Sequence, residues 1–501
     1  MATVALEQHI EAAKALPRPR LIIGPSQPTS GSGGTHAHVN PATGRVQAEI
    51  PMGGPAEIER AVAAARAGLD AWSALKPVKR RDALTRLADL VERHFERFVA
   101  IAPLEMGMPV SQIGGPQRHR IIDLCKYYAG WADKIEGQVV ATNPTDNLEY
   151  TLAEPYGVVG HIITWNAPAI SLAMKIPACL AAGNTVVIKP AEFTPFTALL
   201  FAELALEAGI PEGVVNVVPG GPEAGQALVA HPGIDKISFT GGPAAARHIM
   251  AAAARNLRPV LFELGGKSAN IVFPDVDLAD TAFYSIAFAL NNSGQGCALP
   301  TRQLVHESIY EAFVARVVGA LDHLPTGDPL DPASYLGPVV NEAACDRILG
   351  VIARARSGNA GRLACGGHRM GGGYAAGSFI EPTIFIDVDP ASELAQQEIF
   401  GPVIAISPFR SEDEAIRIAN ATEYGLSAYV QTNDLNRAHR LAARLKAGTV
   451  YVNKATPTNC AAAPFGGINL SGFGREGGKA GLDEFIRLKG VGISVAPDAA
   501  R

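Results

Sequence analysis

Three short segments hold side chains able to do covalent and acid–base chemistry. Residues 291–298 read Asn-Asn-Ser-Gly-Gln-Gly-Cys-Ala, so an apolar run with helical spacing ends in small and polar residues just before Cys297. A thiol there sits among backbone N–H groups that no further helical turn satisfies, which favours the thiolate and offers donors to a developing oxyanion. By itself the stretch also fits a structural cysteine in a glycine-rich turn. Residues 262–267, Phe-Glu-Leu-Gly-Gly-Lys, put Glu263 at the end of a predicted strand, where two glycines let a ligand approach the backbone. A capping or ion-paired glutamate beside Lys267 is the competing reading. Residues 164–168, Thr-Trp-Asn-Ala-Pro, close another predicted strand with Asn166, whose amide can donate to a carbonyl oxygen.

Two further turns have the chemistry of a nucleotide site. Lys189-Pro-Ala-Glu192 follows a short strand; its lysine and glutamate could hold ribose hydroxyls, or form a surface ion pair. Phe239-Thr240-Gly241-Gly242 precedes a helix predicted to begin near Pro243, and glycines before a helix N-terminus make an anion site suited to a pyrophosphate. The G-x-G-x-x-G spacing is absent, so that fingerprint gives no support. Glu398-Ile-Phe400-Gly-Pro and Pro464-Phe-Gly-Gly467 each fit a simple turn when read alone.

The elements that must position these side chains alternate in type. Between 157 and 273, β-branched runs at 158–163, 185–188, 214–218, 236–239, 260–262 and 270–273 are separated by helical patterns. Thr194-Pro195 reads as a helix cap and start, with Gly209 as its stop. Such alternation predicts a parallel sheet covered on both faces, whose strand C-termini share the edge where ligands bind. A second alternating region, 278–449, includes the β-branched stretch 379–388 and predicts another α/β domain. Ahead of both lie an irregular lead-in of about fifty residues with short strands and helical stretches at 56–75 and 79–105. Strand-like segments at 137–152 and 485–495 are expected to pair with each other or with another subunit, and no internal repeat is evident.

Composition narrows the function class. A chain of 501 residues exceeds what one core supports, roughly 250–300 residues, so at least two domains are expected. The net charge of −5 and the lack of a basic stripe argue against a nucleic-acid partner. No apolar run reaches the ~18–20 residues that span a bilayer, and the first residues lack a signal-peptide pattern, so a cytoplasmic protein with no membrane contact is expected. The six cysteines form no C-x-x-C pair, which predicts neither a disulfide framework nor a metal site.

Taken together and in this order, the segments resemble the aldehyde dehydrogenase superfamily. The likeness runs from Asn40-Pro-Ala-Thr-Gly44 to the strand-like tail, and the 34-residue separation of Glu263 and Cys297 suits the family. It implies an α/β fold: two Rossmann-like parallel-sheet domains, for cofactor and catalysis, and a small β oligomerisation arm. The implied boundaries are 1–135 with 157–265 for NAD binding, 266–457 for catalysis, and 136–156 with 480–501 for the arm; 458–479 returns to the domain interface.

The resemblance implies a hydrolytic, NAD-linked oxidation of an aldehyde. Cys297 is then the nucleophile, Asn166 the oxyanion donor beside the Cys297 N–H, and Glu263 the base that activates water against the thioester. CoA-acylating relatives lack this glutamate, so a free acid is the implied product. The implied cofactor residues are Ile162, Thr164, Trp165, Lys189, Glu192, Gly221, Gly225, Phe239, Thr240, Gly241, Gly242, Leu264, Glu398 and Phe400. Glu192 would accept from ribose hydroxyls but repel a 2′-phosphate, so NAD is favoured over NADP. A homodimer or homotetramer is implied by the strand-like arm. Competing readings are a non-catalytic binding relative, which the presence of Cys297 and Glu263 disfavours, and a cysteine esterase or thioesterase, which leaves Lys189, Glu192 and the glycine turns without a use.

Three positions depart from the family pattern: Thr164 stands where proline is usual, Gly242 where serine is common, and Ala246 where a second glycine is common. The implied substrate pocket is Ala167, Ser171, Met174, Asn291, Gly296 and Asn459. Small and amide side chains at positions where relatives carry rings predict a wide funnel for a bulky or partly polar aldehyde.

Overall fold

The computed structural model describes residues 3–142, 147–454 and 460–494. The first α/β unit is a six-stranded sheet in the order Gly472–Phe473, Val260–Glu263, Lys236–Thr240, Val158–Ile162, Thr185–Lys189, Val215–Val217. All neighbours are parallel except Gly472–Phe473, which runs antiparallel to Val260–Glu263. The strands are buried on both faces, as their continuous β-branched character demands. Helices Pro168–Ala181, Phe196–Glu207, Pro222–Ala230 and Pro243–Ala254 follow successive strands. The chain order reverses at Val158–Ile162, which pairs with its successor on one side and with Lys236–Thr240 on the other. Such a reversal opens a crevice beyond the strand C-termini, and the turns at 164–166 and 240–242 flank it.

The second unit is a seven-stranded sheet ordered Arg362–Cys365, Thr383–Ile386, Val403–Phe409, Arg302–His306, Ala269–Val272, Ser427–Gln431, Thr449–Val452. Only Arg362–Cys365 is antiparallel to its neighbour. The strand expected at 270–273 belongs to this sheet, paired with Arg302–His306 and Ser427–Gln431, although the alternation ran on to it without a break. A third sheet pairs Ile486–Ser494 with Asn147–Pro155, and the latter with Val139–Val140, so the two strand-like segments meet within one chain.

Three local expectations are corrected. The lead-in holds a helix, Leu6–Ala13, built from good helix formers, before the hairpin Thr35–Val39 and Val46–Pro51. The stretch 79–105 is two helices, Pro77–Arg93 and Phe95–Met106, broken where His94 leaves helical geometry at φ −100° and ψ 17°. Thr194 does not cap its helix. Pro195 occupies the N-cap of Phe196–Glu207, and the Thr194 hydroxyl has no partner among the described residues. The first-turn N–H groups of Phe196 and Thr197 instead donate to the buried carboxylate of Glu105 from a remote helix. Gly209 does stop that helix, at φ +80°. Among the described residues no helix is long and apolar enough to cross a membrane.

Candidate active site

The cysteine turn is held in an unusual backbone conformation. After helix Leu278–Ala289, residues Asn292, Ser293 and Gly294 take φ of 48°, 54° and 73°. Left-handed asparagine and serine are costly, and bonds to neighbouring elements hold them there. The Asn292 N–H donates to Gln112 Oε1 at 2.7 Å, the Ser293 hydroxyl to the Gly337 carbonyl at 2.8 Å, and the Val340 N–H to Gln295 Oε1 at 2.9 Å. A Cβ at Gly294 would lie 2.0 Å from the Gly401 carbonyl oxygen, so only glycine fits. The turn delivers Cys297, half-buried, to the wall of a cavity of about 650 Å³. Burial first, then the charges of Glu398 and Glu263, push its thiol up to about 12, while the Ala298 N–H acts in the opposite direction.

Asn166 lines the same cavity with its amide orientation fixed. Thr164 Oγ1 donates to Asn166 Oδ1 at 2.5 Å, and Asn166 Nδ2 donates to the Gln295 carbonyl at 3.0 Å. The Asn166 main-chain carbonyl accepts from Asn292 Nδ2 at 3.0 Å, tying this turn to the cysteine turn. An amide nitrogen carries two hydrogens, so a second donor remains for a ligand oxygen.

Glu263 ends the strand Val260–Glu263 and is buried, and neither carboxyl oxygen has a hydrogen-bond partner among the described residues. Its pKa is raised well above the usual carboxylate range, chiefly by burial and then by the charge of Glu476, with Lys175 and Arg475 opposing. Lys175 is fully buried and donates to Ser238 Oγ at 2.9 Å and to Glu476. This pair escaped the sequence reading. The signal was Lys175, the lone charged residue in helix Pro168–Ala181, since a buried cation calls for an acidic partner.

Of the predicted pocket residues, Ala167, Ser171, Met174, Asn291 and Gly296 line the cavity, and Asn459 lies outside the described residues. The rings expected to be missing are supplied from other positions. Phe283, Tyr284 and Phe288 project from helix Leu278–Ala289, and Phe465 comes from the segment before Gly466. The funnel is therefore wide yet aromatic. Arg120 also lines it.

The predicted cofactor residues gather along the adjoining edge of the six-stranded sheet. Ile162, Lys189, Phe239 and Thr240 all lie at strand C-termini. Lys189 is buried, its Nζ lies 3.7 Å from Glu192 Oε2, and burial pulls its pKa down. Gly225 packs on the Lys189 stem, where a Cβ would lie 3.6 Å from Cδ. Gly221 and Gly242 are N-caps of helices Pro222–Ala230 and Pro243–Ala254; neither helix has a side-chain cap, and nothing lies within 4 Å of either missing Cβ. Those open helix ends fit an anionic group. The absent hydroxyl at Gly242 thus leaves space rather than a clash, and Ala246 is buried. Gly241 lies close to the Phe239 ring, and Leu264 is buried with its N–H bonded to the Ser471 carbonyl at 3.1 Å. Thr240 Oγ1 is buried without a partner among the described residues and lines the funnel with Glu263.

On the facing side, Glu398 accepts from the Gly266 N–H at 2.9 Å, and its carboxyl is raised to about 7 by burial. A Cβ at Gly265 would lie 2.1 Å from Glu398 Oε2, so the glycine pair of this turn makes room for that carboxylate. Trp165 meets Phe400 edge to face at 5.2 Å, across the cleft between the turns that carry them. These residues fit a dinucleotide: open helix ends, a lysine–glutamate pair, and the half-buried Glu398 carboxylate lie beside the cavity that holds Cys297.

The profile of the aldehyde dehydrogenase family matches residues 29–491. The aldehyde dehydrogenase of Emericella nidulans is 42% identical over 462 residues, covering 92% of this chain and 92% of that protein. Among solved structures, a mutant of the P. syringae indole-3-acetaldehyde dehydrogenase in complex with NAD+ and IAA aligns with a TM-score of 0.93 at 37% identity, covering 98% of this chain and 100% of that one. The betaine aldehyde dehydrogenase of Staphylococcus aureus in complex with NAD+ aligns with a TM-score of 0.94 at 32% identity, covering 98% of each chain.

Proposed function

The chain belongs to the aldehyde dehydrogenase family, and from that premise we propose that it oxidises an aldehyde to the free carboxylic acid with NAD. The observation that carries this reading is that Cys297, Asn166 and Glu263 open onto one cavity beside the sheet edge. NAD, when bound, supplies the hydride acceptor. Lys189 and Glu192 would hold its adenosine ribose, Gly221, Gly225 and the turn at Gly242 its adenine side and pyrophosphate, and Glu398 with Phe400 the nicotinamide end. The Glu192 carboxylate, which would repel a 2′-phosphate, supports NAD over NADP.

Cys297 Sγ forms the C–S bond to the aldehyde carbon as its S–H bond breaks and the proton passes to solvent water. The oxygen that becomes negative is met by Asn166 Nδ2 and the Cys297 N–H. After oxidation the acyl group is a Cys297 thioester. Glu263 takes a proton from the water that attacks the acyl carbon, the C–S bond breaks, and acid and thiol are released. Its raised pKa makes it a stronger base than a solvated glutamate. Burial is the main source of that basicity, and the Lys175–Glu476 pair adjusts it, since Glu476 raises and Lys175 lowers its proton affinity. The three-stranded arm, with Val139 and Leu488 exposed at 78% and 68%, supports a dimer or tetramer.

The test follows NADH absorbance with a panel of aldehydes. Turnover in wild type and none in Cys297→Ala is expected; equal traces from the two proteins would sink the reading. A higher kcat/KM with NADP than with NAD would contradict the role of Glu192.

A further inference from the structure

One charge in the funnel has no use in the chemistry above. Arg120, on helix Arg118–Trp131, lines the cavity together with Cys297. Its contacts are poor ones for a guanidinium. Nη2 lies 3.6 Å from the Met174 sulfur, and Cζ stands 6.0 Å over the Phe465 ring. A thioether is a weak acceptor, and 6 Å is about the outer reach of a cation–π contact.

Among the described residues the buried cations are held by partners, except Lys267, whose Nζ has none and does not line the funnel; Arg120 is half-buried. Lys175 has Glu476, Lys236 has Glu484, and Arg258 is held by two backbone carbonyls. The acids that share the funnel with Arg120 are spoken for: Glu476 holds Lys175, Asp280 holds Lys454, and Glu263 is the proposed base. Residues 455–459, Ala-Thr-Pro-Thr-Asn, contain no acidic side chain. Burial pulls the Arg120 pKa down, opposed by the charges of Tyr451, Cys297 and Glu476, none of which its guanidinium contacts. A desolvated guanidinium facing ligand-sized space is completed by a ligand carboxylate, which it can meet with two parallel hydrogen bonds.

We propose that Arg120 is a specificity residue, and that the preferred substrates are aldehydes bearing a carboxylate at the end remote from the aldehyde group. The aromatic wall of Phe283, Tyr284, Phe288 and Phe465 calls for an apolar spacer between the two groups. This inference rests on the aldehyde-oxidising reading of Cys297.

The test uses the full-length enzyme with NAD and matched pairs: hexanal against adipate semialdehyde, and para-tolualdehyde against para-formylbenzoate. The carboxylated member of at least one pair is expected to have the higher kcat/KM, and Arg120→Met to lower the carboxylated-to-neutral ratio by about tenfold or more. Arg120→Lys should recover part of that ratio, and it replaces Arg120→Met if the latter does not fold. A wild-type preference for the neutral member of both pairs overturns the proposal. So does an equal loss on both members with slower alkylation of Cys297, which would assign Arg120 to the thiolate. If no aldehyde is oxidised, the reading of Cys297 fails instead. Calorimetric binding of adipate and terephthalate to wild type, lost in the Arg120 variant, would then still support the carboxylate site, and no binding would overturn it.

Discussion

Thr164 Oγ1 donates to Asn166 Oδ1 at 2.5 Å, so the residue that departs from the family pattern settles which end of the Asn166 amide faces the cysteine turn. With the oxygen engaged, Nδ2 must point toward the Gln295 carbonyl and the cavity. Asn166→Ala removes the donor and should lower the acylation rate about 10²–10³-fold, the usual effect of losing an oxyanion donor. Thr164→Val leaves the amide in place without its anchor, and a fall of roughly tenfold is expected, with Thr164→Ser restoring most of it. The amplitude and rate of the NADH burst report acylation alone. An unchanged burst in Asn166→Ala would remove this residue from the mechanism.

Glu263 and Cys297 are coupled by charge. The carboxylate is one of the causes that hold the thiol up at about 12. Glu263→Gln takes that negative charge away, so the thiol pKa should fall. Alkylation of Cys297 by iodoacetamide, followed against pH, should shift its midpoint to lower pH in the variant. The same substitution removes the base for hydrolysis, so a burst of NADH should persist while steady turnover is lost. A steady rate equal to wild type would reject the assignment of Glu263.

Gly466 is the floor against which the Glu263 carboxyl rests. A Cβ at Gly466 would lie 2.6 Å from Glu263 Oε1 and 2.8 Å from the Gly474 carbonyl oxygen, at a φ of +152°. Gly466→Ala must therefore shift the carboxylate or the turn. A displacement near 1 Å can cost on the order of 100-fold in rate, and the loss should fall on steady turnover with the burst retained. Equal loss of burst and steady rate would show that the turn supports acylation as well.

The strand ends, and the segments that bring Cys297, Asn166 and Glu263 to one cavity, were legible because both are written locally. β-branched runs closed by Thr-Gly-Gly, Lys-Pro or Glu-Leu-Gly-Gly announce where each strand stops and what chemistry its end carries. The groups that tune the site were not legible, because they come from far along the chain. Lys175 meets Glu476 across 301 residues, and Glu105 reaches Phe196 across 91. Phe283 and Phe288 lie in the apolar run at helical spacing that precedes Cys297, yet Phe283 is 43% exposed and faces the funnel. Periodicity identifies an apolar face without saying whether protein or ligand will cover it.

Glu105 gives the fold a pH dependence that can be separated from catalysis. Its carboxylate accepts from the N–H groups of Phe196 and Thr197 and from Thr197 Oγ1 at 2.6 Å. Complete burial outweighs those bonds and raises its pKa from 4.5 to about 7. A carboxyl whose pKa is raised on folding contributes its full stability below the unfolded value and loses it as pH rises through the folded one. The interval from 4.5 to about 7 corresponds to roughly 3 kcal/mol of destabilisation of wild type. Glu105→Gln cannot ionise and should escape this change, whatever constant offset the substitution adds. Over a chain of 501 residues that energy moves the melting temperature by about 3 °C. The difference in Tm between Glu105→Gln and wild type should therefore rise in favour of the variant by about that amount between roughly pH 4 and pH 8. Calorimetric scans at matched rates would measure it, and a difference that stays flat with pH would mean that Glu105 keeps an ordinary carboxylate pKa in the folded protein.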